Sequence, residues 1–219
     1  GRGGAMGEMD VAKEKVRAMA REGEDKGTEA FFGAWGTLAD RLAMLGDEAI
    51  ADGHAMSACE KYARATAYYI TAERMQSRDY QPRQDMYRTM LATMDKAVAA
   101  GLPAERVEIA YEGSSFPGLF VPGRGDGPRP CMVFCNGLDS VKEMIVLCMR
   151  GEFAKRGISM LAIDHPGVRL HLDTGCMTMS SDDVETIVAE GAALLAHFHV
   201  SEPYLAPIGQ GAVDHRRFA

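Results

Sequence analysis

The fold is decided by residues 131–143, whose sequence is CMVFCNGLDSVKE. Cys131 to Cys135 is a continuous apolar run, and such runs are typical of parallel strands covered on both faces. The sequence next predicts a helix from about Val141 to Arg156, ended by Gly157, and a second buried strand over Ile158 to Ile163. This order makes a βαβ unit, and we expect its crossover to be right-handed.

A β-hairpin is predicted just before this unit. Residues Val107 to Tyr111 alternate with period two, Gly113-Ser114-Ser115 forms a turn, and Phe116 to Val121 forms the return strand.

The first hundred residues carry apolar side chains at the helical spacing of three and four. Helices are predicted at about Met9–Arg21, Thr28–Gly53, Ala55–Gln76 and Pro82–Gly101, and a later one at Asp182–His197. Met86, Met90 and Met94 form a stripe on the fourth helix, which indicates core packing.

Helices followed by a hairpin and a βαβ unit favour an α/β fold preceded by an all-helical domain. We divide the chain into a tag or disordered end (residues 1–8), a helical domain (9–102) and an α/β domain (103–219).

Composition excludes several classes of protein. With 31 acidic and 24 basic residues and a net charge of -7, the chain lacks the basic patch of a nucleic-acid binder. Its apolar stretches are far shorter than the ~20 residues of a membrane helix, and no signal peptide is evident. The five cysteines include no CxxC pair and are predicted to be small buried hydrophobes, so we expect a cytoplasmic protein.

The segment Asn136 to Glu143 is the leading candidate for chemistry. It follows a parallel strand and opens a helix, where ligands gather and where backbone amides can stabilise an oxyanion. The alternative is a plain strand-to-helix turn, with Ser140 as N-cap and Glu143 completing a capping box.

Two groups of histidines are weaker candidates. Asp164 and His165 follow the second strand and suit either acid–base work or the organisation of their own loop. His197 and His199 form an HxH at a predicted helix end. Together with His165 and His171 they offer a metal-enzyme hypothesis, but their spacing matches no ligand motif. We expect His54, His171 and His215 at the surface.

Three stretches carry a family resemblance that covers about Ala34 to Ala196. They are Gly46-Asp47 with Gly53, Ser57 to Ala65 and Tyr68-Tyr69; Glu105 to Ile109 with Tyr111 to Gly113 and Pro117-Gly118; and Asn136 to Glu143 with Asp164 to Gly167. On these residues the chain resembles the α/β-hydrolase family of 2,6-dihydroxypseudooxynicotine hydrolase and the fungal polyketide-shortening hydrolases.

The resemblance implies a serine-type hydrolase that cleaves a C–C bond next to a ketone, or an ester, in a small aromatic or polyketide-like substrate. It implies a helical cover over the pocket, no organic cofactor or metal, and a homodimer. The implied oxyanion-hole residues are Gly137, Leu138 and Asp139, and the implied pocket-loop residues are Asn136, Ser140, Lys142, Glu143, Asp164 and His165.

The family carries its nucleophilic serine on a GxSxG turn, called the nucleophile elbow, and this turn is missing from the sequence. Gly113-Ser114-Ser115 lies in the hairpin turn, and the tail from Tyr204 resembles the segment that the family carries just after the elbow. Without the elbow strand, Cys131 to Cys135 becomes an exposed apolar edge, which is prone to aggregation. We therefore expect an incomplete chain; the alternative is a catalytically inactive binding or oligomerisation module.

Overall fold

A computed structural model describes the fold over residues 5–20, 26–77, 80–111, 113–136, 140–164, 170–173 and 195–199, with residues 210 and 213. The chain divides into two compact units, residues 1–164 and 165–219.

Four helices open the first unit, and they confirm the four predicted ones. They are α1 (Met6–Ala20), α2 (Lys26–Ala51), α3 (Ala55–Glu73) and α4 (Gln81–Ala99). Gly53 lies just beyond α2 with a φ of 77°, a left-handed conformation that glycine adopts without strain. Met90 and Met94 are fully buried, so the methionine stripe of α4 is core, as predicted.

A four-stranded sheet follows the helices. It contains β1 (Glu105–Tyr111), β2 (Ser114–Val121), β3 (Cys131–Cys135) and β4 (Ser159–Ile163), with α5 (Lys142–Ala154) between β3 and β4. The strand order is β1-β2-β4-β3. The β1–β2 and β2–β4 pairs are antiparallel and the β3–β4 pair is parallel, which confirms the hairpin and the βαβ unit.

One hydrophobic cluster joins the helices to the sheet. Leu119 pairs with Ala162 and Val121 with Met160, so these four buried side chains point to one face of the sheet. The same cluster contains Tyr62 of α3, Met94 and Ala97 of α4 and Val146 of α5. The helices therefore take part in the core of the sheet itself.

The strand β3 corrects the prediction that it is covered on both faces. It lies at the edge of the four strands described in this sheet, and Met132 and Val133 are 45% and 53% exposed. Phe134 packs against Phe153 of α5, with ring centroids 5.3 Å apart. An apolar run indicates that a strand is suited to burial on both faces. Whether it is buried depends on neighbouring strands and helices, which the run itself does not identify.

The same edge corrects the cysteine prediction in part. Cys59 is buried as expected, but Cys131 and Cys135 are exposed on β3 and Cys148 is half-buried; these four are free thiols. Cys176 lies outside the described residues.

The second unit contains a parallel pair of strands, β5 (Leu170–Asp173) and β6 (Leu195–His199). The helix predicted to end at His197 is wrong at that end, because Leu195 onwards forms β6. Ala196, Phe198 and Val200 alternate with two histidines, a period-two pattern that favours a strand. Residues 182–194 of that prediction lie outside the described residues.

Candidate functional site

The predicted site residues divide into two groups. Asn136, Ser140, Lys142, Glu143 and Asp164 belong to the described part of the chain. The three oxyanion-hole candidates and one pocket-loop candidate lie outside the described residues; they are Gly137, Leu138, Asp139 and His165.

The carboxylate of Asp164 connects both ends of the turn between β3 and α5. Cys135 and Ile163 are paired in the parallel register, so the residues that follow them, Asn136 and Asp164, leave the sheet side by side. The side-chain amide of Asn136 donates to Asp164 Oδ1. The backbone N–H of Lys142 donates to the same oxygen at 2.9 Å, and Lys142 Nζ donates to Oδ2 at 2.6 Å.

This contact also caps α5 from across the sheet. The first N–H groups of a helix have no partner inside it, and a carboxylate near them is favoured by the helix dipole. Val141, the N-cap residue, makes no side-chain cap. The predicted capping box of Ser140 and Glu143 is therefore wrong, because Asp164 supplies the acceptor at the start of the helix.

Lys142 and Glu143 are buried as a charged pair, with exposures of 2% and 0%. Lys142 Nζ lies 3.0 Å from Glu143 Oε1, and Arg106 Nη1 of β1 lies 3.6 Å from the same oxygen. Arg106 Nε in turn contacts Asp95 of α4 at 2.5 Å. A chain of charges thus runs from α4 through the hairpin to the turn.

These neighbours keep Lys142 charged. Burial opposes the cationic form, but the charges of Glu143 and Asp164 and their hydrogen bonds to Lys142 outweigh it and hold the Lys142 pKa above its ordinary value. Asn136 Oδ1 and Glu143 Oε2 are buried without a hydrogen-bond partner among the described residues. Both oxygens remain available as acceptors.

A cavity of about 390 Å³ adjoins the turn at Val141. The end of α3 and the first half of α4 line its other sides, with Glu73, Arg83, Gln84, Tyr87 and Arg88. Arg83 is held in place, because its Nε contacts Glu73 Oε2 at 2.6 Å and its Nη1 donates to the Gln76 carbonyl at 2.6 Å.

Burial raises the pKa of the Tyr87 hydroxyl above its ordinary value. Two further cavities, of about 260 and 340 Å³, surround Glu60 and Arg150 and do not touch the turn.

Sequence reasoning missed the helical wall of this cavity. Arg83 and Tyr87, like Gln84 and Arg88, are four residues apart, so each pair shares a face of α4. That spacing was the available signal. The sequence analysis interpreted α4 from its methionine stripe alone. That stripe explains the helix by core packing, so the spacing of the polar residues was not considered.

The described residues give little support to a metal centre. Within the ranges that the structure describes, no group of three or more His, Cys, Asp and Glu side chains could hold a metal ion. His171 lies on β5, and His197 and His199 lie on β6 rather than at a helix end. His54 is exposed just before α3, and His215 lies outside the described residues.

No helix in the described part of the chain has the length and hydropathy to cross a membrane.

Comparison with known proteins finds similarity to proteins named as hydrolases and esterases. The esterase FrsA-like family matches residues 30–182, well over half of the chain. Alpha/beta hydrolase xenA of Xenoacremonium sinensis is 28% identical over 190 residues, which cover 81% of this chain and 43% of that protein. Esterase FrsA of Vibrio cholerae serotype O1 is 28% identical over 137 residues, covering 62% and 33%.

The crystal structure of 2,6-dihydroxy-pseudo-oxynicotine hydrolase superposes with a TM-score of 0.61 at 24% identity, covering 76% of this chain and 44% of that one. This likeness confirms the α/β-hydrolase fold class, and the family model over residues 30–182 confirms the family resemblance. The chain spans less than half the length of these relatives.

Proposed function

The chain belongs to the FrsA-like esterase family, and we propose that it forms the helical cover and the oxyanion side of a serine-type hydrolase site. The reaction is cleavage of an ester, or of a C–C bond next to a ketone. The substrate is a small aromatic or polyketide-like molecule, and no metal or organic cofactor takes part.

One observation carries this proposal: Asn136 after β3 and Lys142 at the start of α5 both donate to Asp164, beside a cavity that the leading helices line. In the proposed site the amides of Gly137, Leu138 and Asp139, which follow the Asn136 anchor, donate to the oxyanion of the acyl intermediate. Donors held in place before the reaction need no reorganisation when the charge develops, which makes such stabilisation effective.

The cavity also suits the substrate class. Its volume of about 390 Å³ lies in the range of roughly 300–1,000 Å³ that is usual for small-molecule sites. Val141 offers an apolar surface, and the Tyr87 hydroxyl and the arginines of α4 offer polar ones. This mixture fits an aromatic ring that carries oxygen substituents.

None of the 219 residues is assigned here as the nucleophilic serine, its acid or its histidine. The sequence has no GxSxG motif, and the relatives are more than twice as long as their matched part. We therefore assign the triad to a segment beyond this sequence. The exposed edge of β3 is the natural neighbour for the strand that would precede it.

Two further expectations belong to the same proposal. We expect the protein to be cytoplasmic, in keeping with the four free thiols among the described residues. We expect it to act as a homodimer, as the family resemblance implies.

A second candidate is an inactive module that binds the same ligand or oligomerises. The missing elbow favours it directly, because a site with an oxyanion turn and no nucleophile can bind a carbonyl compound without cleaving it.

The intact mass of the native protein and its labelling by a fluorophosphonate distinguish the two candidates. The hydrolase requires a mass well above 23.7 kDa, labelling of a serine, and turnover of an aryl ester or an acyl ketone. A native mass of 23.7 kDa with neither labelling nor turnover contradicts the hydrolase and leaves the binding module.

Binding to the 219-residue chain tests the cavity in both cases. We expect 2-hydroxyacetophenone to bind in a calorimetric titration, and Val141→Trp to weaken the affinity at least ~10-fold by filling the cavity, a change of about 1.4 kcal/mol. Gly151→Trp, which adds the same side chain beside the Glu60–Arg150 cavity, is the matched control and leaves the affinity unchanged. Equal effects of the two variants contradict this location.

A further inference from the structure

We propose that the cavities around the Glu60–Arg150 pair form a second binding site, which takes a small apolar molecule that carries one carboxylate. This site lies away from the turn of the proposed function. Arg150 follows Lys142 on α5, and the rise of an α-helix places it about 12 Å further along the helix axis. A ligand binds here whether or not the chain takes part in hydrolysis.

Helices α3 and α5 and the connection after α4 enclose this second site. Two cavities, of about 340 and 260 Å³, share Glu60 and Arg150 among their lining residues, so the pair lies between them. In the larger cavity Cys59 and Leu102 are buried, whereas Met56 and Pro103 are exposed, so the space runs from the surface to the core. Its volume falls in the range of roughly 300–1,000 Å³ that is usual for small-molecule sites. Apart from the ion pair, its lining is apolar.

Arg150 is the group that recognises a carboxylate in this proposal. Its side chain is only 20% exposed, yet Glu60 Oε1 lies 3.8 Å from Nη2, beyond the roughly 2.7–2.9 Å of a charge-assisted hydrogen bond. Its one hydrogen bond among the described residues runs from Nη1 to the Leu147 carbonyl, at 3.0 Å. A guanidinium carries several N–H donors in a fork that matches the two oxygens of a carboxylate. This largely buried cation therefore retains donors for a ligand.

Glu60 competes only weakly for Arg150. Its side chain is 61% exposed, and ion pairs that face water contribute little, so a ligand carboxylate can displace it. The other charged groups that line the smaller cavity have nearer partners: Arg64 Nε lies 3.4 Å from Glu8, and Glu152 lies 2.9 Å from Arg156. One cation without a close carboxylate, beside an apolar space, is the complement of a monocarboxylate with an apolar body.

A residue-resolved NMR titration of the 219-residue chain with benzoate tests this site, and benzamide serves as a neutral molecule of nearly the same shape. We expect benzoate to shift the signals of Met56 and Leu102 with a dissociation constant below about 5 mM, and benzamide to bind at least about 10-fold more weakly. Arg150→Gln should weaken benzoate binding at least about 10-fold, because it removes the cation. Glu60→Gln should strengthen it about 2- to 5-fold, because it removes the competing carboxylate.

Arg156→Gln is the matched control, since Arg156 is 63% exposed and lines neither cavity, and it should leave the benzoate affinity unchanged. The site is refuted if benzoate causes no shifts at 5 mM, if benzamide binds equally well, or if benzoate shifts Tyr87 but not Met56 and Leu102. A loss of affinity in Glu60→Gln also refutes it.

If Arg150→Gln fails to fold, the ratio of benzoate to benzamide affinity and the sign of the Glu60→Gln effect decide the question. The ketone titration concerns the cavity beside Val141, so its failure counts against the proposed function and leaves this second site unaffected.

Discussion

At the scale of single residues, the adjacent pair Lys142-Glu143 shows how charge can be buried without a loss of stability. Both side chains are almost completely inaccessible, and each is neutralised by a partner within 3.0 Å. The attraction within such a pair roughly offsets the free-energy cost of removing both charges from water, so the pair adds little net stability. Removing one member, however, leaves an uncompensated charge in the interior. The stability of the turn therefore depends on both charges together.

We predict that Lys142→Met lowers the free energy of unfolding by about 3–5 kcal/mol, because Glu143 and Asp164 lose their shared cation. Urea denaturation measures the change. Lys155→Met, at a lysine that is 61% exposed, is the control and should change stability by less than about 0.5 kcal/mol. A loss below about 1 kcal/mol for Lys142→Met contradicts the prediction. Adding Glu143→Leu to Lys142→Met should recover part of the loss.

The difference in unfolding free energy between wild type and Lys142→Met depends on pH in a direction that the Lys142 pKa determines. The pKa of Lys142 is raised in the folded state above its ordinary value of 10.5, so the folded protein holds the proton more tightly than the unfolded chain does. The stabilisation is fully present below pH 10.5 and is lost as the pH rises through the folded pKa. The gap between wild type and Lys142→Met is therefore expected to stay constant from neutral pH to about pH 10.

The sequence identified these residues as candidates but not as partners. Lys142 and Glu143 stood out because they follow a glycine turn, and Asp164 because it ends a strand. Their contacts arise from the parallel register of β3 and β4 and from the antiparallel hairpin that brings in Arg106. Register is a long-range property, and side-chain spacing along one strand does not report it.

At the scale of elements, α2 shows why two glycines in one helix have different roles. A Cβ at Gly46 would lie 2.5 Å from the Tyr62 ring of α3, whose hydroxyl donates to Asp47 at 2.7 Å. A Cβ at Gly33 would meet nothing within 4 Å. Gly46 permits close packing of α2 on α3, whereas Gly33 only adds freedom to the unfolded chain.

We predict opposite effects of alanine at these two positions. Gly46→Ala should destabilise the protein by about 1–3 kcal/mol through overpacking, and Gly33→Ala should stabilise it by roughly 0.5–1 kcal/mol through helix propensity. Thermal unfolding of both variants is the measurement. If Gly33→Ala lowers the stability as much as Gly46→Ala does, the difference in packing at the two glycines does not determine the effect of alanine.

The elements themselves were largely predictable. Apolar residues recur with a period of 3.6 along the helices and of 2 along the strands of the hairpin. These periods reflect only which side of an element is apolar, so the four helices, the hairpin and the βαβ unit could be predicted locally. The prediction failed at β6, where a run of alanine and leucine continued the helical pattern into Leu195, and at β3, whose burial depends on a neighbouring strand.

At the scale of the whole molecule, β3 forms an edge among the strands that the structure describes, and we expect this edge to control association in solution. Val133 and Met132 lie on opposite faces of the strand and both are exposed. An edge with unpaired backbone groups and apolar side chains is a template for another strand. The 219-residue chain should therefore associate with itself through this edge.

We predict that Val133→Lys suppresses concentration-dependent association, since a charge on an edge strand opposes pairing. Sedimentation velocity and light scattering over a range of concentrations measure it. Ser115→Lys, which adds the same charge at an exposed position of the hairpin, should leave the association unchanged. If Val133→Lys and wild type associate equally, the contact lies elsewhere.

The core that α3, α4 and the sheet share has a mechanical consequence. Leu102 and Ala104, between α4 and β1, are themselves buried members of that core, at 3% and 4% exposure. A connection packed in this way cannot serve as a hinge, because any swing about it would pull apolar groups into water. The helical layer is therefore expected to keep its position over the sheet, and the cavity beside Val141, whose lining includes the exposed Gln84 and Arg88, is accessible without such a movement.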